Sequence, residues 1–285
     1  MVNNTLKRFD SFDWEWLIIS FGMALGAGIV LVPVTVSVVG ISIYIISALV
    51  AYPAIYLFQK LYMNTLFETT EAKCYSEVIK ELLGTRWSIV LGLIYFIMML
   101  IWTIVYAEAV FSAFSDYLFY YNILNTPLNN DMFYSLILMI ILVIVGTKSH
   151  KLLFKVTTLL TLILLLTLIT VSIYIVPQWN LSQIYIHPKG WGFIPTTIIM
   201  FPFSLTTILF IQSLSPMVVA YRIKYPKNNE LARYRSQRTM KVAFIILLSV
   251  VSFYVLSFSL ITPQHQAIIA KDHGYSIFHI MLHLY

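Results

Sequence analysis

Long stretches of this chain carry no charged side chain. From Trp16 to Gln59 there is none in 44 residues. Further charge-free runs cover Trp87–Ala107, Met132–Thr147, Val156–Pro188, Gly190–Tyr221 and Val242–Ala270. A helix needs about 20 apolar residues to cross the hydrocarbon core of a bilayer. Hydrocarbon offers no partner to an unpaired backbone group, so an open segment there must be helical. A barrel strand would alternate apolar and polar residues, and these runs are continuous Leu, Ile, Val and Phe.

Composition points the same way. Hydrophobic residues make up 60% of the chain and charged ones 11%, with a mean hydropathy of +0.85. A soluble domain has about 25% charged residues. Disorder, collagen, coiled coil and a disulfide-rich secreted domain are excluded. The single Cys74 permits no internal disulfide. The net charge of +6 would suit a nucleic-acid binder, but the basic residues flank the apolar runs and so orient a membrane protein.

The spans divide as follows. Trp16–Gln59 holds two, separated near Gly40. The third starts at Trp87 and continues past Glu108. The fourth is short, from Met132. The fifth ends near Pro177, the sixth lies within Gly190–Tyr221, and the seventh ends near Pro263. The fold class is therefore all-α, a polytopic helical membrane protein of about seven transmembrane helices. With the N-terminus in the cytoplasm, only Lys189 and Lys271 of the 18 basic residues fall outside, which fixes the expected topology. Asp10, Asp13 and Glu15 precede the first run, so it reads as a retained helix rather than a cleaved signal. Residues 68–84 mix both charges with Val78, Leu82 and Leu83 and read as a cytoplasmic surface helix.

Two spans carry breakers at mid-membrane. The first has Gly22, Gly26, Gly28 and Pro33. The sixth has Pro195, Pro202 and Pro216, with Ser213 and Ser215 beside the last. Gly22-xxx-Gly26 fits close helix packing. The alternative, favoured here, is a pair of discontinuous helices whose half-helix N-termini meet an anionic group. Interrupted spans at matching positions of two halves point to a transporter site.

These residues resemble the hydroxy and aromatic amino acid permeases, closest to their serine/threonine branch. The resemblance rests on Gly26-Ala27-Gly28-Ile29 with Pro33, Ala51-Tyr52-Pro53, Tyr95-Phe96, Tyr106, Lys151 to Lys155, Pro177-Gln178-Trp179-Asn180, Phe210 and Ser215-Pro216. Their order and spacing carry it, from about Trp14 onward. It implies a bacterial inner-membrane permease with an inverted-repeat amino acid transporter fold, here partial. Residues 1–15 would be a cytoplasmic segment and 16–176 the first five-helix repeat. Residues 194–262 would be the first two helices of a second repeat and 263–285 an outer tail. It implies symport of serine, threonine or a related amino acid coupled to a proton, with sodium the alternative, and no cofactor. Main chain at Ala24, Gly26 and Gly28 would meet the substrate carboxylate, and Tyr106, Ser213 and Ser215 would line the site.

The chain departs from the pattern in three ways. Ser213 stands where the serine branch tends to have Asn. Glu108 replaces a neutral residue. The chain stops at Tyr285, where relatives continue for several helices. An inactive permease remnant, or one part of a split transporter completed by self-association or a partner chain, is the competing expectation.

Glu108 is the one acidic residue well inside an expected span, so it reads either as the coupling carboxylate or as an interfacial one. Trp102 and Tyr106, four apart, suit packing as well as binding. His279 and His283 have the spacing of a metal pair but lack a third ligand, so no metal is expected. The basic run from Arg222 to Lys241 reads as a topological anchor or a lipid-headgroup contact. No His lies at membrane depth for a hydrolase or a haem, and the seventh span has no Lys for retinal, so no enzyme is expected.

Overall fold

The computed structural model describes residues 9–26, 28–69, 75–123, 128, 132–148, 150–184 and 192–272. His273, His279 and His283, with Ala27 and Lys189, lie outside them. The described elements are helices α1 (Ser11–Ala24), α2 (Gly28–Val39), α3 (Ile41–Glu68), α4 (Tyr75–Leu83), α5 (Thr85–Tyr120), α6 (Met132–Lys148), α7 (His150–Tyr174), α8 (Phe193–Thr206), α9 (Ile211–Lys224), α10 (Asn229–Ile261) and α11 (Gln264–Asp272). Short 3-10 turns follow α7, and no strand occurs among the described residues.

Five stretches are long and apolar enough to cross a membrane: α3, α5 to Glu108, α7 from Val156, α8 with α9, and α10. The first expected span is two short helices, α1 and α2. The fourth, α6, has 17 residues. These two account for the difference from seven. Helix α1 starts at Ser11, ahead of the first charge-free run. Asp10 caps it by a reciprocal pair: its carboxylate accepts the Asp13 N–H, and the Asp13 carboxylate accepts the Asp10 N–H, each at 3.0 Å.

The chain forms two units. The second, residues 74–159, holds α4, α5, α6 and the start of α7. There Val78, as well as Ile79, of α4 is buried, whereas Leu82 and Leu83 are exposed. Most apolar side chains along α5 and α6 are exposed, a composition suited to hydrocarbon.

The first unit holds α1–α3, the rest of α7 and α8–α11. Three hydrogen bonds set the register of α1–α2 against α10 and the start of α11. Thr239 reaches Asp13 at 3.4 Å, Ser259 reaches Pro33 O at 3.2 Å, and Gln264 reaches Val38 O at 3.1 Å. Each pair is 226 positions apart, so α1–α2 runs parallel to α10 and the break between them loses no register. Gly40 reverses the chain at a φ of 110°, a conformation open to glycine. Returning α3 runs parallel to α8–α9, joined to it by Ser47–Ser204 (3.1 Å) and by Gln59–Phe210 (3.3 Å). The 263–285 tail begins as α11, which packs on α2 with Ala267 and Ala270 buried.

Candidate functional site

Both expected breaks are present in the first unit. α1 stops at Ala24. The Gly26 N–H bonds Ala24 O at 2.9 Å, the Ile29 N–H bonds Gly26 O at 3.1 Å, and α2 restarts at Gly28. Glycine is the poorest helix former after proline, so the turn is lost where two glycines flank one residue. α8 stops at Thr206 and α9 restarts at Ile211. Pro202 and Pro216 stand on either side, and each lacks the N–H that would bond one turn back.

Every break leaves carbonyls at the end of one half-helix and N–H groups at the start of the next. Each span thus shows a partly negative and a partly positive terminus at its centre. At the start of α9 the buried Gln59 of α3 caps one such group, its Oε1 accepting the Phe210 N–H at 3.3 Å. Phe210 O in turn accepts from the Ser213 hydroxyl at 2.8 Å. Ser213 meets Ser20 of α1 at 3.1 Å, and both are fully buried. Ser20 lies four residues, about 6 Å, below the end of α1, so the two breaks lie within about a turn of each other.

The expected site residues distribute unevenly. Ala24 is buried at the end of α1, Gly26 sits in the linker and Gly28 opens α2. Ser213 is buried on the first turn of α9, and Ser215, next along it, is half-buried. Tyr106 and Glu108 lie on α5 in the second unit, both exposed. Tyr106 packs edge-on against Trp102 at 6.4 Å. The described residues contain no group of three His, Cys, Asp or Glu able to hold a metal.

Ser20 and Gln59 join the site from outside the expected set. Gln59 served only as the end of a charge-free run, although an amide closing 44 uncharged residues was the available signal. Tyr254 is a further residue outside that set. The common 226-residue register puts Tyr254 level with Gly28. Its hydroxyl is buried without a partner among the described residues, as is that of Ser257 one turn on.

A second cluster ties the N-terminal end of α1 to α9 and α10. Asp13 is 3% exposed. It accepts from Tyr221 at 2.5 Å and from Arg235 at 3.3 Å. Tyr221 also pairs with Thr239 at 2.8 Å. Arg235 and Lys224 both reach Asp10, at 2.8 and 2.9 Å. Burial pushes the Asp10 carboxyl up. The Lys224 hydrogen bond, the Asp13 N–H and the charges of Lys224 and Arg235 outweigh it and hold the carboxyl at about 2. Arg222 donates to Phe67 O and Thr69 O, both at 2.9 Å. The basic run beyond Arg222 therefore clamps α1 and α3 as well as flanking a span.

No family model matches this sequence, and no solved structure matches it. Curated relatives do. It is 41% identical over 269 residues to the serine transporter of Escherichia coli O157:H7, covering 94% of this chain and 60% of that protein. It is 24% identical to the inner membrane transport protein YqeG of Escherichia coli K12, over 92% of this chain and 64% of the relative. It is also 24% identical to the threonine/serine transporter TdcC of Escherichia fergusonii, over 90% and 60%. The chain thus spans somewhat under two thirds of the length of these relatives.

Proposed function

We propose that this chain, a member of the hydroxy and aromatic amino acid permease family, carries serine, threonine or a related amino acid across the bacterial inner membrane, coupled to a proton. The observation that supports this most is the pair of unwound span centres that meet through Ser20 and Ser213. An amino acid is a zwitterion. Its carboxylate suits the N–H groups that open α2 at Gly28, and its ammonium suits the carbonyls that close α1 at Ala24. One broken span thus offers both charges a complementary terminus a few residues apart.

With the N-terminus in the cytoplasm, as the basic residues favour, the Asp13–Tyr221–Arg235 cluster closes the inner end of the path. It joins the first half of one broken span to the second half of the other. Release to the cytoplasm then requires those bonds to part. Self-association, or pairing with a second chain, is the proposed source of wall residues beyond those described. Transport rather than catalysis is the reading that the relatives' names favour.

Equilibrium binding of labelled L-serine to the purified chain in lipid nanodiscs tests the zwitterion reading. L-Serine and L-threonine are expected to compete. Ethanolamine, which lacks the carboxylate, and 3-hydroxypropionate, which lacks the amine, are expected to fail. Equal competition by either analogue would contradict it.

A further inference from the structure

Gln59 does only half of what an amide can do. Its Oε1 holds the Phe210 N–H at the α8–α9 break. Its Nε2, on the same carbon, is buried and has no hydrogen-bond partner among the described residues. The residue is fully buried on α3. A buried N–H donor left unpaired is costly, so one held beside the α8–α9 break points to an acceptor that arrives from outside.

The hydroxyls beside it have the opposite need. Ser20 and Ser213 own two hydroxyl protons between them. Three acceptors compete for those protons: Trp16 O at 2.8 Å from Ser20, Phe210 O at 2.8 Å from Ser213, and the partner serine's Oγ at 3.1 Å. If both serines bond main chain, two oxygens face each other without a proton. A third hydroxyl would supply it. Gln59 and Ser213 both engage Phe210, one through its N–H and the other through its carbonyl. The spare donor and the proton-poor oxygens are therefore neighbours across one residue.

We infer that Gln59, with Ser20 and Ser213, reads the side-chain hydroxyl of the transported amino acid. The hydroxyl accepts from Gln59 Nε2 and donates to the serine pair. This rests on the amino acid reading above and adds the residues that set its specificity. A site built to bond a hydroxyl discriminates strongly against the analogue that lacks one, because its own polar groups are then left unpaired. Serine is thereby preferred to alanine, and threonine to 2-aminobutyrate.

The test is competition by L-serine and L-alanine against a labelled amino acid bound to the full chain in nanodiscs. It is run for the wild type, Gln59→Met and Gln59→Glu. Gln59→Met removes both bonds at similar volume. Gln59→Glu keeps an acceptor for the Phe210 N–H and replaces the donor by oxygen, so it separates recognition from support of the break. Both variants are expected to reduce the preference for serine over alanine by roughly tenfold. A preference equal to wild type in both, or equal losses for serine and alanine, would overturn the assignment while leaving amino acid binding intact. A wild type that binds neither would remove the functional reading and this inference together.

Discussion

Asp13 shows how one residue changes meaning between sequence and structure. In the sequence it is an acidic residue ahead of an apolar run, useful against a signal peptide. In the fold it is the buried partner of Arg235 and Tyr221. Nothing local in the sequence indicates this, because its partners lie more than 200 positions away. Removing one member of a buried pair leaves the other charge unpaired, at a cost of about 3–5 kcal/mol. Asp13→Asn should fall near the lower end, since Asp10 still faces Arg235 at 2.8 Å. Thermal unfolding in detergent should show a marked loss for Asp13→Asn and partial recovery when Arg235→Gln is added. An unchanged melt for the single variant would mean that the cluster does not hold α1 in place. The roles of Gln59 and Ser20 were illegible for a related reason. Each is a lone polar residue in an apolar run, and only the partner across the break gives it a role.

At the scale of elements, the breaks were the most legible feature. Gly26, Gly28 and the prolines at 202 and 216 act through the local backbone, which is the level a sequence displays directly. The unwound stretches fall where those residues predict. Alanine at both Gly26 and Gly28 should favour a continuous helix by up to about 2 kcal/mol in total. The double variant is expected to insert into the membrane normally yet lose serine binding. Retained binding would show that the unwound turn is dispensable. Faces were less legible than breaks. Val78 and Ile79 of α4 turn inward, whereas Leu82 and Leu83, one turn on along the same stripe, stay exposed, because periodicity gives a stripe but not how much of it a neighbour covers. The spans with continuous apolar faces gave no moment to read at all, so which side of α10 meets α1 came only from the contacts.

At the scale of the whole molecule, a polytopic helical membrane protein followed from charge-free length alone, since the bilayer leaves few alternatives. Pairing of the spans did not follow. The parallel run of α1–α2 with α10, held at Asp13, Pro33 and Val38, joins segments from opposite ends of the sequence. That register places the hydroxyl of Tyr254 beside the level of Gly28, and it places the Arg235 clamp at the foot of α1. The proposed path, with its inner end closed, rests on the two together. The most direct test is uptake of labelled L-serine and L-threonine by transporter-deficient bacteria expressing this chain, with insertion checked by fractionation. Saturable uptake that a proton uncoupler abolishes, and that unlabelled serine and threonine compete, is the predicted result. A well-inserted chain that moves neither amino acid would contradict the account.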